Sequence, residues 1–405
     1  MHVDPSSPNK YQALARHIGS VITIPFIFAI YFSTSLSTIT SIVLGVLWLG
    51  SAQFRDLPRL LRLQPVALWA LLLCACFLIG LTYSSAAGNK AISLASKYRE
   101  LFYIPILMAF FNTERYRRWA WLAFVSASVA SLLISYLKLA GILELNHFGD
   151  ASFKSHITHN IFMAYFAFYC AQHAFSRRPY AKLYLALLFI CLHNLFFVVH
   201  GLTGQAVFLI LVLLFTWQRF SKKYLLVTLG ALALAMLLFI NFSDKAERLN
   251  QGIIDTKAYF QQDAGLNKIK SPMGQRYMFW HYSVQLIAER PLFGFGTGSY
   301  GLEYKRIAQG EPVMAENAHN EYLMITVQLG LFGLLVYLGF LRSQFSSAKR
   351  LHPEQKFLAQ GVLASLLVTS MFNSPILDFS EGHWFATLIA LCFAPLSDRN
   401  NPANA

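Results

Sequence analysis

Solid apolar runs of about 15 to 20 residues recur along almost the whole chain, and a run of that length is what a helix needs to cross a hydrocarbon core of roughly 30 Å. The charge content agrees. Of 405 residues, 56% are hydrophobic and 13% charged, whereas a soluble domain carries about a quarter charged residues. The runs are unbroken rather than alternating, which disfavours a β-barrel. The pattern predicts an all-α polytopic membrane protein.

About twelve spans are expected: Ile18 to Phe32, Leu36 to Leu49, Val66 to Thr82, Ser93 to Phe111, Trp119 to Leu139, Ile161 to Phe175, Leu183 to Val199, Ala206 to Trp217, Tyr224 to Phe242, Tyr322 to Leu341, Phe357 to Phe372 and Trp384 to Phe393. No small-residue cleavage site follows the first run, so it is expected to be a retained span rather than a signal peptide. Cys74, Cys76, Cys170, Cys191 and Cys392 all fall within apolar runs. There they act as small hydrophobes rather than as disulfide or metal partners.

Orientation comes from the loops. Alternate connections are basic, among them Arg55, Arg59 and Arg62, then Arg115, Arg117 and Arg118, then Arg219, Lys222 and Lys223, then Arg342, Lys349 and Arg350. Short basic loops stay in the cytoplasm. The formal net charge of +14 is therefore assigned to topology and anionic headgroups, not to nucleic acid. Both termini are expected inside, with one long periplasmic segment. The expected organisation is 1–242 (nine spans), 243–320 (periplasmic loop) and 321–405 (three spans and a cytoplasmic end).

Within the loop, Gln275 to Arg290 has helical periodicity, with Tyr277, Trp280, Val284 and Ile287 expected on one apolar face. A turn holding Pro291, Gly294, Gly296 and Gly298 ends it. Those glycines resemble a nucleotide loop, but they follow a helix with no βαβ unit, so that reading fails. His156 and His159 have metal-like spacing, yet only Asp150 stands nearby as a further ligand, and no metal is expected. His319 lies at the mouth of a span, where an imidazole is well placed to accept a proton near neutral pH.

His319-Asn320, followed after nine residues by Gly330-x-x-Gly333, resembles the signature of the O-antigen ligase and polymerase superfamily. The preceding stretch from Arg276 to Tyr300, with Trp280, Pro291-Leu292-Phe293-Gly294 and Gly296, is similar to the block this family places before its histidine. The resemblance implies an inner-membrane glycosyltransferase with its active site on the periplasmic side. It implies an undecaprenyl-pyrophosphate-linked glycan as donor and, in the ligase branch, a lipid A-core sugar as acceptor.

On that basis His319 is expected to be the general base. Arg276 is expected to stabilise the departing diphosphate, a task suited to the planar donor fork of arginine. Cations can neutralise this leaving group, so a metal-independent, inverting displacement with no cofactor is expected. Arg99 and Lys97, Asn320 beside the histidine and Arg290 at the end of the helix are expected to bind substrate. The family usually carries a further arginine where this chain has Leu202, leaving His200, Arg99 or Lys97 as possible substitutes. A polymerase or protein O-oligosaccharyltransferase would use the same donor. A lipid-linked sugar transporter is disfavoured because polarity concentrates in one loop rather than in symmetric halves.

Overall fold

The computed structural model describes residues 9–144, 151–176, 179–199, 201–242, 247–260, 272–311 and 313–398. All regular elements among them are helices. In chain order they are α1 (Lys10–Phe32), α2 (Thr34–Gly50), α3 (Leu57–Leu63), α4 (Pro65–Gly80), α5 (Gly88–Ala95), α6 (Glu100–Phe110), α7 (Glu114–Leu139), α8 (His156–Ala174) and α9 (Ala181–His193). There follow α10 (Leu202–Arg219), α11 (Lys223–Phe242), α12 (Glu247–Phe260), α13 (Pro272–Glu289), α14 (Tyr300–Ile307), α15 (Glu321–Ala348), α16 (Pro353–Phe372) and α17 (Phe379–Phe393).

Each expected span falls on one or more of these helices. Six helices are long and apolar enough by themselves to cross a bilayer: α1, α7, α9 with its short extension to Val198, α10, α11 and α15. This gives a membrane protein. The fourth expected span, Ser93 to Phe111, is not one straight helix. A 3-10 turn at Ser96–Arg99 separates α5 from α6, and 11 residues of α6 reach only about 16 Å at 1.5 Å per residue.

Burial sorts the helices into centre and periphery. The residues of α8 and α17 are almost all buried, and Phe162 stacks on Trp384 between them with centroids 4.7 Å apart. α11 lies at the other extreme, with none of its apolar window buried, as suits a helix whose solvent is lipid.

The expected amphipathic helix of the loop is present as α13, but its face is rotated by about one residue, or 100°. Val284 is exposed, whereas Phe279, Ser283 and Leu286 are buried. The inward stripe is therefore 276, 279, 283, 286, and it carries Arg276 inward as well.

The turn after α13 does not merely end a helix. Gly330 has φ 65° and ψ −167°, a break inside α15, and the Pro291 to Gly298 turn fills that break backbone to backbone. Phe295 N–H donates to the Val327 carbonyl at 3.0 Å and Gly296 N–H to the Gln328 carbonyl at 2.8 Å. In return, Leu331 N–H donates to the Pro291 carbonyl at 2.7 Å. A Cβ at Gly330 would collide with the Leu292 carbonyl, so both the φ and the approach require glycine. Backbone groups freed by breaking a helix in an apolar setting must find partners, and this turn supplies them. The glycines that resemble a nucleotide loop are thus a splice between the segment after α13 and α15.

Candidate functional site

His319 immediately precedes α15 and its cap, Asn320. It adopts φ 48°, a left-handed conformation that a non-glycine residue holds only when its surroundings impose it, at a cost of order 1–3 kcal/mol. The constraint is Asn317, whose Oδ1 accepts from His319 N–H at 2.8 Å and from the Ser374 hydroxyl at 2.7 Å. Trp280 Nε1 donates to the Ala318 carbonyl at 3.1 Å. The histidine is therefore pinned from α13 on one side and from the connection between α16 and α17 on the other.

α13 also brings Arg276 and Phe279 to it. The Phe279 ring stacks beside the imidazole with centroids 6.1 Å apart, and the Arg276 charge acts directly on the ring. The histidine pKa is held below 6.5, mainly by burial and then by Arg276, while the side chain of Asn373 pulls it back up. The ring is thus largely neutral at neutral pH, the form that can take a proton. Its Nδ1 is buried and makes no hydrogen bond. Arg276 is half-buried, and burial lowers its pKa. Its only side-chain contact of hydrogen-bond type is with the Met273 sulfur at 3.8 Å, and no carboxylate pairs with it among the described residues. A partly desolvated cation without a counter-charge, beside a neutral imidazole, favours an anionic ligand.

The other expected site residues scatter. Asn320 is occupied structurally: its Oδ1 caps α15 by accepting from Leu323 N–H at 3.1 Å, and its Nδ2 donates to the Met371 carbonyl at 3.1 Å. Arg290 is exposed and lies over the Phe295 ring, 4.7 Å from its centroid. It sits fourteen positions along α13 from Arg276, about 21 Å at 1.5 Å per residue. Arg99 donates to the Ser96 carbonyl at 2.8 Å and covers Phe379 at 5.3 Å, at the head of α17, and Lys97 is exposed. His200 lies outside the described residues, as does Asp150. Of the two spaced histidines, His159 is buried with Nε2 2.9 Å from Asn194 Oδ1, part of the packing between α8 and the α9 extension.

The position that departs from the family pattern is adjacent to this corner. The Leu202 and Met273 side chains both border Gly252, each 3.9 Å from where its Cβ would stand, and Met273 also touches Arg276. Leu202 thus belongs to the same wall as Arg276, and an apolar group stands there.

Several polar residues that sequence reasoning did not single out lie on and against the connection between α16 and α17, which also holds Asn317. Asn373 Nδ2 donates to Glu381 Oε2 at 3.0 Å, and the Thr158 hydroxyl donates to Glu381 Oε1 at 3.1 Å. Glu321 is buried, and its Oε2 accepts from Ile376 N–H at 2.9 Å, which ties the 373–378 connection to α15. Lys154, only 7% exposed, faces Asp378. Burial pushes its pKa down to about 8, against the pull of that carboxylate. The available signal was the pair Asp378 and Glu381, acidic residues at the edge of an apolar helix, where charge is costly unless it is used.

Residues 184–338 match the family model described as O-antigen ligase. The matched segment runs from α9 to the middle of α15 and contains Arg276, the spliced turn and His319. The chain matches no curated protein. The family match supports a glycosyltransferase of the ligase or polymerase type that works with lipid-linked glycan and a lipid acceptor.

Proposed function

We propose that this chain, similar to O-antigen ligases over residues 184–338, transfers a glycan from undecaprenyl pyrophosphate to a sugar hydroxyl of lipid A-core on the periplasmic side of the inner membrane. The observation that carries the reading is the junction of His319 and Arg276. One is a half-buried, largely neutral imidazole; the other is a half-buried guanidinium with no carboxylate partner among the described residues; and the fold brings them together from the middle and the end of the loop. His319 takes the proton of the acceptor hydroxyl as its oxygen attacks the anomeric carbon. The bond to the diphosphate breaks on the opposite face, so the anomeric configuration inverts. Arg276 stabilises the charge that develops on the leaving diphosphate, strongly so because the site is partly desolvated.

The test is transfer by the purified protein with lipid-linked donor and rough lipopolysaccharide, run with and without chelator. Ligated product with inverted linkage, formed equally in both arms, is expected. Longer donor-linked glycan without transfer to lipid A-core would instead assign a polymerase. Activity lost on chelation and restored by one divalent metal would refute the metal-free mechanism.

A further inference from the structure

We propose that the 291–293 tip of the spliced turn is a membrane anchor: Leu292 and Phe293 insert among the acyl chains of the leaflet that faces α13, with Arg290 at the level of the headgroups. This anchor is independent of the roles proposed for His319 and Arg276.

Exposed polarity changes abruptly along this stretch. The exposed residues of α13 in its last three turns are His281, Val284, Gln285, Ala288 and Glu289, with Arg290 directly after them, a mostly polar surface suited to water. Two positions after Arg290, Leu292 is 63% exposed, and Phe293 beside it 60%. The apolar surface then continues without a gap. The Phe293 ring lies next to that of Phe332, with centroids 6.1 Å apart, and Leu331, Phe332, Leu335 and Leu338 are exposed along α15, as are Leu78 and Ile79 at the end of α4. Positions 331–348 of α15 rise about 27 Å at 1.5 Å per residue, close to a hydrocarbon core of roughly 30 Å. Leu292 and Phe293 thus extend the lipid-facing surface of α15 past its break. An exposed apolar patch of this kind marks an interaction surface, and its continuity with a membrane span makes lipid the occupant.

The backbone of the tip suits a medium without water. The Pro291 carbonyl accepts from Leu331 N–H at 2.7 Å, the Leu292 carbonyl from Phe332 N–H at 3.2 Å and the Phe293 carbonyl from the Tyr83 hydroxyl at 3.0 Å. Proline brings no N–H of its own. A loop in water has no need of such partners, whereas irregular backbone at membrane depth is tolerated only where its polar groups are satisfied. Tyr83 is itself 37% exposed, an amphipathic ring of the type enriched at membrane interfaces. Arg290 lies over the Phe295 ring, 4.7 Å from its centroid. Its neighbour Glu289 is taken by Arg306, and no carboxylate pairs with Arg290 among the described residues. Its charge is left for lipid phosphate. An anchor here fixes one end of α13 in the membrane, so that Arg276, fourteen positions back, stands no more than about 21 Å from it along the helix.

The test uses the full-length protein with Cys74, Cys76, Cys170, Cys191 and Cys392 replaced by alanine. Phe293→Cys or Gln285→Cys is then introduced, labelled with the polarity-sensitive dye NBD and reconstituted into vesicles of phosphatidylethanolamine and phosphatidylglycerol. Two quenchers are compared: a nitroxide on the acyl chain of a phospholipid, and iodide present on both sides of the bilayer. The label at 293 should emit to the blue of the label at 285 and be quenched several-fold more by the lipid nitroxide than by iodide, with the preference reversed at 285. Quenching at 293 by iodide as readily as at 285 would place the turn in water and overturn the anchor. A label at 293 that neither quencher reaches would mean that a protein surface, such as a second copy of this chain, covers the patch, and would overturn it too. Leu292→Cys, at an equally exposed position, gives the same reading should Phe293→Cys not fold.

Discussion

The spliced break in α15 and the His319 corner lie eleven positions apart in the sequence, and they treat polar groups in opposite ways. At the break, the described backbone groups around Gly330 exchange hydrogen bonds with the 291–298 turn. Even the Gln328 side chain is fully used: Gly298 N–H donates to its Oε1 at 2.8 Å, and its Nε2 donates to the Tyr98 hydroxyl at 3.0 Å. At the corner, His319 Nδ1 is buried without a hydrogen bond, and Arg276 has no carboxylate among the described residues. Burying unsatisfied polar groups costs roughly 1–3 kcal/mol each and more for a charge. A fold that satisfies one region and leaves its neighbour wanting is what the proposed ligand site at the second would require. The glycines most visible as a motif are architecture, and the proposed chemistry lies with the groups next to them that make few hydrogen bonds among the described residues.

The sharpest way to break this contrast is at His319. A positioned general base contributes about 10² to 10⁴ in rate, and His319→Gln should lose about that much ligation. Thermal stability in detergent should hardly change, because the His319 backbone N–H, not its ring, makes the bond to Asn317. Native-rate ligation by His319→Gln would make the residue a structural one. Arg276→Ala follows with a fall of about 10²- to 10³-fold, the range seen when one stabilising donor is removed from a developing anion. Arg276→Lys should fall less, since the positive charge survives. Equal losses in the two variants would mean that the bidentate geometry, not the charge, does the stabilising.

Gly330→Ala probes the other region and should show the reverse signature. The new Cβ collides with the Leu292 carbonyl, and φ 65° is strained for alanine. Together these should destabilise the protein by about 1–3 kcal/mol and lower the melting temperature. Activity should fall only in proportion to the folded protein remaining. A variant with native melting and no activity would place Gly330 in the chemistry instead.

These outcomes bear on what the sequence could reveal. Local, periodic features were legible: each expected span lies on helix, and α13 begins and ends near its expected bounds. The rotation of its buried face was not, because Phe279 and Trp280 are both large aromatics. Only packing against Tyr304 and the Ala318 carbonyl decides which of them turns inward. His319 and Arg276 were nameable because family resemblance marks them and the charge of a leaving diphosphate demands a cation. Asn373 and Glu381 could not be tied to each other beforehand. Their link runs through a turn and the start of α17, and only tertiary structure gives an asparagine in a connecting segment a direction.

The smallest expected effect concerns how the two members of the corner act on each other. A cation next to an imidazole disfavours its protonation, so Arg276 contributes to holding the His319 pKa below 6.5, second to burial. Removing that charge should raise the histidine pKa, because one of its two depressing causes disappears while burial remains. The pH at which kcat of the residual activity rises should therefore move upward in Arg276→Gln, chosen to keep the bulk and lose the charge. The displacement should stay small, since the larger cause is untouched, and should shrink further in the wild-type comparison as salt rises and screens the pair. A rise in Arg276→Gln that coincides with wild type at low ionic strength would mean that the two residues do not sense each other. The corner would then be two separate sites rather than one.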